Sequence, residues 1–256
     1  MKCMGQSNVD LSDMPRGGPT ASCLDRFLET DRLEYLDRDS DDPGVDSRKR
    51  SVIRALELIG DWFGNHEKFA HMVLDEVAEV PDPRILELGS GHGGLSAKVL
   101  EMHPTAHVTV TDVEPDSIAA IAAGPLDADD RATVRAMDAT AIDAADGAFD
   151  LAVFALSFHH LPPSLASRAI AEGTRVARCL LLIDLPRPPA PLHLLRVATM
   201  APFAPFVPFV HDGVISSLRA YSPSALRALA AHADPAIELK LRGGLVSAQV
   251  AVASRS

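Results

Sequence analysis

The spacing of apolar positions along the chain changes near residue 80. Before this point apolar residues recur at intervals of three and four, as at Leu24, Phe27 and Leu28, which is typical of amphipathic helices. After it, short and nearly continuous apolar runs alternate with segments of helical spacing. Such runs are typical of strands that are buried on both faces of a parallel sheet. The pattern predicts a helical segment over residues 21–80, followed by an α/β fold.

Five apolar runs form the parallel part of the predicted sheet. In chain order they are RILEL, HVTVTD, ATVRAMD, FDLAVFAL and VARCLLLIDL. A helix in SPSALRALAAHA then precedes two further strands, in AIELKLRGG and VSAQVAVASR. Gly243 and Gly244 between these two strands are a hairpin signal, so they should pair antiparallel. We predict an α/β fold with a doubly wound, mostly parallel seven-stranded sheet and an antiparallel last strand.

The other segments flank this core. Residues 1–20 carry Gly, Ser, Pro and Asp without periodicity and are predicted to form a disordered tail. A single domain is predicted over residues 21–256. It comprises a helical N-terminal cap over 21–80, a cofactor-binding core over 83–185, an acceptor lid over 186–222, and a terminal helix and strand pair over 223–256. In the lid, Pro202, Pro205 and Pro208 exclude a continuous helix.

Composition limits the partners and the compartment. The formal net charge is −11, and a nucleic-acid-binding protein usually carries a basic stripe, so we expect no nucleic-acid partner. The three cysteines lack C-x-x-C spacing, which suits a reducing compartment. The N-terminus has no apolar leader, and no run approaches the roughly 18 apolar residues of a membrane span. We therefore expect a cytoplasmic protein, either a monomer or a homodimer.

The turn after the first predicted strand carries the main chemical signal. The segment GSGHGG, residues 89–94, satisfies G-x-G-x-x-G, a pattern that can cradle a dinucleotide pyrophosphate. Glu87 argues against that ligand, because a carboxylate there would repel a pyrophosphate and attract a sulfonium and an ammonium group. Asp112, at the end of the second strand, can accept both hydroxyls of a ribose in either ligand, so the choice rests on Glu87. We therefore favour S-adenosylmethionine (SAM) over a nicotinamide dinucleotide.

Four segments resemble, in order and spacing, the successive motifs of class I SAM-dependent methyltransferases. They are ILELGSGHGGLS, VTVTDVEPDSI, VRAMDAT and FDLAVFALSFHHLPP. The resemblance covers about residues 83–184 and implies SAM as cofactor, with S-adenosylhomocysteine (SAH) as product. It also implies that Gly89, Gly91 and Gly93 line the methionine and ribose portions.

The same resemblance implies the contacts of the remaining cofactor atoms. Asp112 would hold the ribose hydroxyls, with Val113 against the adenine. Asp138 would accept a hydrogen bond from the adenine amino group, with Met137 and Ala139 beside the ring. The backbone around Ala155 would face the methionine end.

Two adjacent histidines are the candidate catalytic residues. His159 and His160 follow the fourth strand at the carboxyl edge of the sheet, where open α/β folds bind ligands. Imidazole titrates near neutral pH and can accept the proton of a hydroxyl acceptor. We expect at most one of the two to face the acceptor, and we favour His160. The alternative is that one or both histidines only hydrogen bond the loop backbone before the helix that follows Pro162.

The insertion after the fifth strand supplies the candidate substrate-binding residues. They are His211, Asp212, Arg219 and Tyr221, beside an apolar wall of Phe203, Phe206 and Phe209. These polar groups favour a small-molecule acceptor with a hydroxyl, such as a sugar or another polar metabolite. No metal ligand set is predicted. Asp150, Asp184 and Asp212 leave metal-dependent O-methylation open as an alternative, but the aspartate–asparagine pair of catechol-type enzymes does not occur.

Several alternatives stay open at this stage. The phenylalanines can instead belong to the core or to a dimer surface. Together with the prolines they motivate a second acceptor class, a lipid or quinone-like precursor methylated at carbon. A regulator that binds SAM without catalysis is a candidate from a different class of protein. A nicotinamide dehydrogenase is a further alternative, although neither Tyr35 nor Tyr221 has the lysine four residues later that short-chain dehydrogenases use.

Overall fold

The computed structural model describes residues 11–38, 43–243 and 247–255. Its helices are α1 (Cys23–Phe27), α2 (Pro43–Phe63), α3 (Asn65–Glu76), α4 (Gly94–Met102), α5 (Pro115–Ala122), α6 (Pro163–Val176), α7 (Ala190–Met200), α8 (Pro208–Arg219) and α9 (Pro223–Ala233). Its strands are β1 (Arg84–Leu88), β2 (His107–Asp112), β3 (Ala132–Ala136), β4 (Phe149–Ala155), β5 (Ala177–Asp184), β6 (Ile237–Gly243) and β7 (Gln249–Arg255).

The seven strands form one sheet in the order β3-β2-β1-β4-β5-β7-β6. β1 lies between β2 and β4 and pairs parallel with both. β7 runs antiparallel to β5 and β6, which confirms the predicted fold class and the antiparallel last strand. Gly244, part of the predicted hairpin, lies outside the described residues. The strand order reverses between β1 and β4, and open α/β sheets bind their ligands in the crevice at such a point.

Alternate residues of the strands face two different layers of helices. Ile85 of β1 belongs to a buried cluster shared with α3, α4 and α5. Leu86 belongs to the opposite cluster, shared with α6 and α9. Each of these two side chains is at most 1% exposed. Burial on both faces explains why the central strands are apolar at nearly every position.

The segment before α1 packs against the core. Leu11 and Met14 are buried in the α6–α9 cluster. The Arg16 guanidinium is buried, donates a hydrogen bond to the carbonyl oxygen of His159 at 2.8 Å, and lies over the Tyr221 ring at 4.8 Å. The prediction of a disordered tail is therefore wrong for residues 11–20, because three well-spaced anchors hold a segment that lacks periodicity. Residues 1–10 lie outside the described residues.

The insertion after β5 forms two helices, α7 and α8. They are separated by residues 201–207, which contain Pro202 and Pro205, and Pro208 is the first residue of α8. The prolines thus break the helix as predicted, because each one removes a backbone donor and clashes with the preceding turn. Within the described part of the chain, no helix combines the length and the apolar character needed to cross a bilayer.

Candidate functional site

The turn between β1 and α4 presents bare backbone at the carboxyl edge of the sheet. Gly89, Gly91 and Gly93 have φ angles of 62°, 58° and 73°, which side chains with a Cβ rarely adopt. A Cβ built on Gly91 would meet no protein atom within 4 Å, so this α-carbon borders open space. A ligand can therefore approach the turn closely at Gly91.

Asp112, the last residue of β2, lies directly beside this turn. One carboxylate oxygen accepts a hydrogen bond from the Gly91 N–H at 2.8 Å, and the other accepts one from the Glu114 N–H at 2.9 Å. The two bonds fix the orientation of the carboxylate. Each oxygen keeps a second lone pair, so the group has the capacity to accept one hydroxyl of a vicinal diol on each oxygen.

The residues predicted to adjoin adenine lie at the ends of the neighbouring strands β2 and β3. The Val113 side chain is 63% exposed, which is unusual for a large apolar residue and leaves its face available to a ring. One oxygen of Asp138 accepts from the N–H and the hydroxyl of Thr140, each at 2.8 Å. Met137 is buried in the core cluster, and Ala139 is half-buried. The structure brings these residues to one edge.

Glu87 occupies a different environment from the one predicted. Its side chain is 3% exposed and accepts hydrogen bonds from the hydroxyl of Ser96 and, at 3.2 Å, from the Ser96 N–H. Burial raises the pKa of Glu87 to about 7, even though the bonds from Ser96 favour the charged form. The carboxyl group of Glu87 holds the first turn of α4 against β1, so it faces this helix and not the open side of the glycine turn where a contact with the cofactor was expected.

The end of β4 contacts the glycine turn. Leu156 has a φ angle of 58°, and its N–H donates to the Ile183 carbonyl at 2.8 Å. This conformation costs a non-glycine residue roughly 1 kcal/mol. It bends the chain so that the Ser157 hydroxyl lies 2.8 Å from where a Cβ on Gly89 would be. The half-buried Ala155 therefore lies at the junction predicted to face the methionine end.

His66 borders the same crevice and was missed by the sequence analysis. A Cβ built on Gly94, the first residue of α4, would lie 2.7 Å from an atom of the His66 ring. The ring comes from the start of α3, in the helical segment that precedes the sheet. No motif marks it, because its position depends on how that helix packs against α4.

His159 is enclosed by two carboxylates. Its Nδ1 lies 2.7 Å from one oxygen of Asp184, and its backbone N–H donates to the other at 2.8 Å. Its Nε2 lies 3.6 Å from a Glu34 oxygen, which is too long for a hydrogen bond. Burial disfavours the charged ring, but Asp184 and Glu34 outweigh it and raise the pKa of His159 to about 9. The side chain is 3% exposed, so His159 does not face an acceptor.

His160 is the more accessible of the two histidines. Its side chain is 27% exposed, its Nδ1 lies 2.7 Å from Asp37, and its Nε2 lies 3.9 Å from the second Glu34 oxygen. Arg219 fixes this arrangement by donating to Asp37 at 2.5 Å and to the His160 carbonyl at 2.6 Å. Both histidines therefore use Nδ1 to hold a carboxylate and turn Nε2 toward Glu34.

The four predicted substrate-binding residues have different positions. Tyr221 is buried in the core and donates its hydroxyl hydrogen to the Leu161 carbonyl, so its prediction is wrong. Arg219 is buried and bound to Asp37, which corrects its expected exposure to an acceptor. Asp212 is buried, accepts from the Tyr35 N–H at 2.9 Å and lies 2.8 Å from His211, and burial raises its pKa. His211 is the member of this set that keeps partial exposure.

The predicted apolar wall is an exposed surface. Phe203 and Phe206 are 60% and 83% exposed, and Leu195 of the adjoining helix α7 is 60% exposed. Phe209 is half-buried. The two exposed rings therefore do not enclose a pocket in this structure.

Glu34 and Asp37 are the site residues that the sequence analysis did not find. They lie in the extended segment between α1 and α2, and Ser216 of α8 donates to Glu34 at 2.7 Å. Burial alone would raise their pKa values, but His159 and His160 outweigh it and lower the pKa of Glu34, and His160 with Arg219 lowers the pKa of Asp37. The local sequence LEYLD, residues 33–37, does not distinguish Glu34 and Asp37 as site residues, because their partners are more than 120 residues away in the chain.

The architecture and this edge define a class of protein. An open sheet of this strand order, with a glycine turn after β1 and a carboxylate ending β2, is the fold of class I SAM-dependent methyltransferases. Residues 85–179 match the family model described as a methyltransferase domain. The match covers 95 of the 256 residues, so over this segment the chain is similar to a methyltransferase domain, and its fold is that of SAM-dependent methyltransferases.

A curated relative supports the same assignment over a short stretch. The release factor glutamine methyltransferase of Deinococcus radiodurans is 36% identical over 52 residues, which are 20% of this chain. The match spans 19% of that protein, about a fifth of its length. The substrate of that relative is therefore not transferred to this chain.

Solved structures share the fold at low identity. A SAM-dependent methyltransferase from Aquifex aeolicus has a TM-score of 0.52 at 16% identity, covering 72% of this chain and 88% of that one. Magnesium protoporphyrin IX methyltransferase from Synechocystis PCC 6803, with bound SAH, has a TM-score of 0.52 at 16% identity, covering 87% and 91%. The [4+2]-cyclase SpnF has a TM-score of 0.51 at 19% identity, covering 69% and 58%. The fold is shared, and a cyclase among these neighbours means that it does not fix the reaction.

We expect the burial of Glu87 to make stability depend on pH. The pKa is about 7 in the folded protein and 4.5 in the unfolded chain, so between these values the folded state holds a proton that the unfolded state releases. The contribution of Glu87 to stability therefore falls as pH rises from about 4.5 to 7. The free energy of unfolding of Glu87→Gln, relative to that of wild type, should therefore increase by on the order of 3 kcal/mol between pH 5 and pH 8.

Urea unfolding of both proteins without cofactor measures this difference. Glu79→Gln, an exposed change of the same charge, is the control and should track wild type at both pH values. A wild-type and Glu87→Gln difference that is the same at pH 5 and pH 8 would contradict the buried, proton-binding role of Glu87.

Proposed function

We propose that this protein is an enzyme that transfers the methyl group of SAM to a hydroxyl of a small-molecule acceptor. The proposal that the protein binds SAM rests on the Asp112 carboxylate. The Gly91 and Glu114 N–H groups fix this carboxylate beside an open glycine turn. When bound, SAM supplies a methyl group activated by an adjacent sulfonium. The residues present fit its ribose, because Asp112 retains an acceptor site on each oxygen.

The adenine and methionine portions have partners along the same edge. In this proposal Val113 packs against the adenine ring, and the Asp138 oxygen that does not bind Thr140 accepts from the amino group. The backbone of β4 near Ala155 lies beside the methionine end, with the glycine turn opposite it. Glu87 supports the turn through Ser96 and does not contact the ligand.

His160 is the general base in this proposal. Asp37 holds its Nδ1 at 2.7 Å, which fixes the tautomer whose Nε2 carries the free lone pair. Its partial exposure gives an acceptor hydroxyl access to that nitrogen. When the methyl group leaves the sulfonium for the acceptor oxygen, with SAH as the leaving group, Nε2 of His160 would accept the hydroxyl proton. His159 is a positioning residue, because it is buried and held between Asp184 and Glu34.

A second acceptor class is favoured by one observation. Phe203, Phe206 and Leu195 form an exposed apolar surface on α7 and the turn that follows it. An apolar acceptor, such as a lipid or quinone-like precursor methylated at carbon, has a surface here to approach. The predicted acceptor lid over residues 186–222 remains part of this proposal.

Replacing Asp112 tests the cofactor half. Asp112→Ala removes the acceptor of two charge-assisted hydrogen bonds, each contributing about 1.5–3 kcal/mol, so we expect SAH affinity to fall at least about 100-fold. Isothermal titration with SAH measures the effect, with NADH titrated alongside. Asp116→Ala, an exposed aspartate four residues later, is the matched control and should bind SAH as wild type does.

The titration has clear contrary outcomes. Absence of SAH binding to wild type, or tighter binding of NADH than of SAH, would contradict the SAM site. Asp112→Asn and thermal melts of both variants separate loss of the binding group from loss of the fold.

Replacing His160 tests the catalytic half. His160→Gln keeps a polar side chain but removes the base, so we expect kcat to fall about 10²–10⁴-fold with an unchanged SAH affinity. SAH release is followed with a panel of hydroxyl acceptors in the presence of EDTA, so that no metal contributes. His232→Gln, an exposed histidine on α9, is the control.

The same panel separates the alternatives. If His160→Gln had the same kcat as wild type, His160 would not be the general base. Turnover confined to apolar ring compounds would favour carbon methylation, and SAH binding without turnover on any acceptor would favour a SAM-binding regulator.

A further inference from the structure

We propose that Glu34, His159 and His160 form a binding site for one divalent transition-metal ion of the zinc type. This inference concerns metal binding and does not rest on the proposed methyl transfer. It assigns a role to three side chains that the fold brings together from the N-terminal segment and from the turn after β4.

The ligand atoms converge with spacing close to that of a metal site. One oxygen of Glu34 lies 3.6 Å from Nε2 of His159, and the other lies 3.9 Å from Nε2 of His160. One ligand atom from each of the three residues lies within 4.8 Å of the other two. Ligands of a tetrahedral zinc ion at about 2.0–2.2 Å are separated by about 3.3–3.5 Å. The ligand atoms must therefore approach one another by up to about 1.3 Å to complete the geometry.

The carboxylates that hold the two histidine ligands are arranged as in metal centres. Histidines that bind metals almost always donate the other ring N–H to a carboxylate or carbonyl, which fixes the tautomer and raises the basicity of the ligand. Here Nδ1 of His159 is held by Asp184 and Nδ1 of His160 by Asp37, each at 2.7 Å. Two independent carboxylates therefore direct both Nε2 atoms toward Glu34.

An unpartnered buried atom points to a ligand at the same place. Nε2 of His159 is fully buried and has no hydrogen-bond partner in the part of the chain that the structure describes. The Glu34 oxygen lies 3.6 Å from it, beyond hydrogen-bonding distance. Leaving such a group unpaired costs about 1–3 kcal/mol. A metal ion between Nε2 and Glu34 gives this nitrogen a partner, while the Glu34 oxygen keeps the hydrogen bond that Ser216 donates to it.

The donor set indicates the class of ion. Two imidazoles and one carboxylate suit Zn²⁺, Co²⁺ or Fe²⁺, whereas Mg²⁺ prefers oxygen ligands and waters. Three protein ligands leave a further coordination position on the more exposed side of His160. With the ion bound, Nε2 of His160 would be a ligand and not the base, and the ion would lower the pKa of an acceptor hydroxyl bound to it.

Metal titration of the stripped full chain tests the site. Protein dialysed against a chelator, then freed of it, is titrated with Zn²⁺ by calorimetry and with Co²⁺ by visible absorption, in the absence of SAM. We expect one ion per chain and a Co²⁺ spectrum of a low-coordinate site with nitrogen ligands. Glu34→Gln and His160→Gln should each weaken Zn²⁺ binding more than tenfold. Asp37→Asn, which acts through His160, should weaken it about 10–100-fold.

Controls make each outcome decisive. His232→Gln should bind Zn²⁺ as wild type does, and thermal melts confirm that each variant is folded. Zn²⁺ binding that is absent from wild type, or that survives both Glu34→Gln and His160→Gln, overturns the proposal. SAH titration of the same samples is independent, so a protein that binds SAH but no metal refutes this site and leaves the proposed function intact.

Discussion

The burial of His159 beside Asp184 is the interaction on which the site depends. The docking of the segments that pack over the site depends on it as well. A charged pair inside a protein needs further partners, because the cost of removing it from water otherwise exceeds its attraction. Glu34 supplies that partner from a segment 125 positions earlier in the chain, and Asp37 does the same for His160. The extended segment between α1 and α2 must therefore dock at the carboxyl edge of the sheet. Arg219 of α8 then neutralises Asp37 and attaches the insertion to the same point.

The cofactor edge and the histidine cluster are adjacent parts of one crevice. The glycine turn and Asp112 belong to the ends of β1 and β2, whereas the histidines and Asp184 belong to the ends of β4 and β5. The left-handed residue Leu156 joins the two halves, since it bends the chain toward both the turn and the histidines. A methyl donor on one half and an acceptor on the other would meet at the reversal of strand order.

Most of the fold was predictable from the sequence, but the polar half of the site was not. The strands are buried on both faces, so their apolar runs reveal them, and the glycine turn is local enough to be read as a motif. Glu34 and Asp37 carry no such signal, because the docking of their segment gives them a function. Tyr221 was misassigned because its neighbours in sequence are polar, although its ring packs in the core. Residues 11–20 were misassigned because isolated anchors such as Arg16 replace periodicity.

The central claim is that Asp112 and the glycine turn hold SAM at the reversal of strand order, next to the histidine cluster. A crystal structure of the protein with SAH tests it most directly. The account predicts both ribose hydroxyls on the Asp112 carboxylate, the adenine against Val113 and the sulfur directed toward the end of β4. SAH bound elsewhere on the chain, or bound at this edge with its ribose away from Asp112, would contradict it.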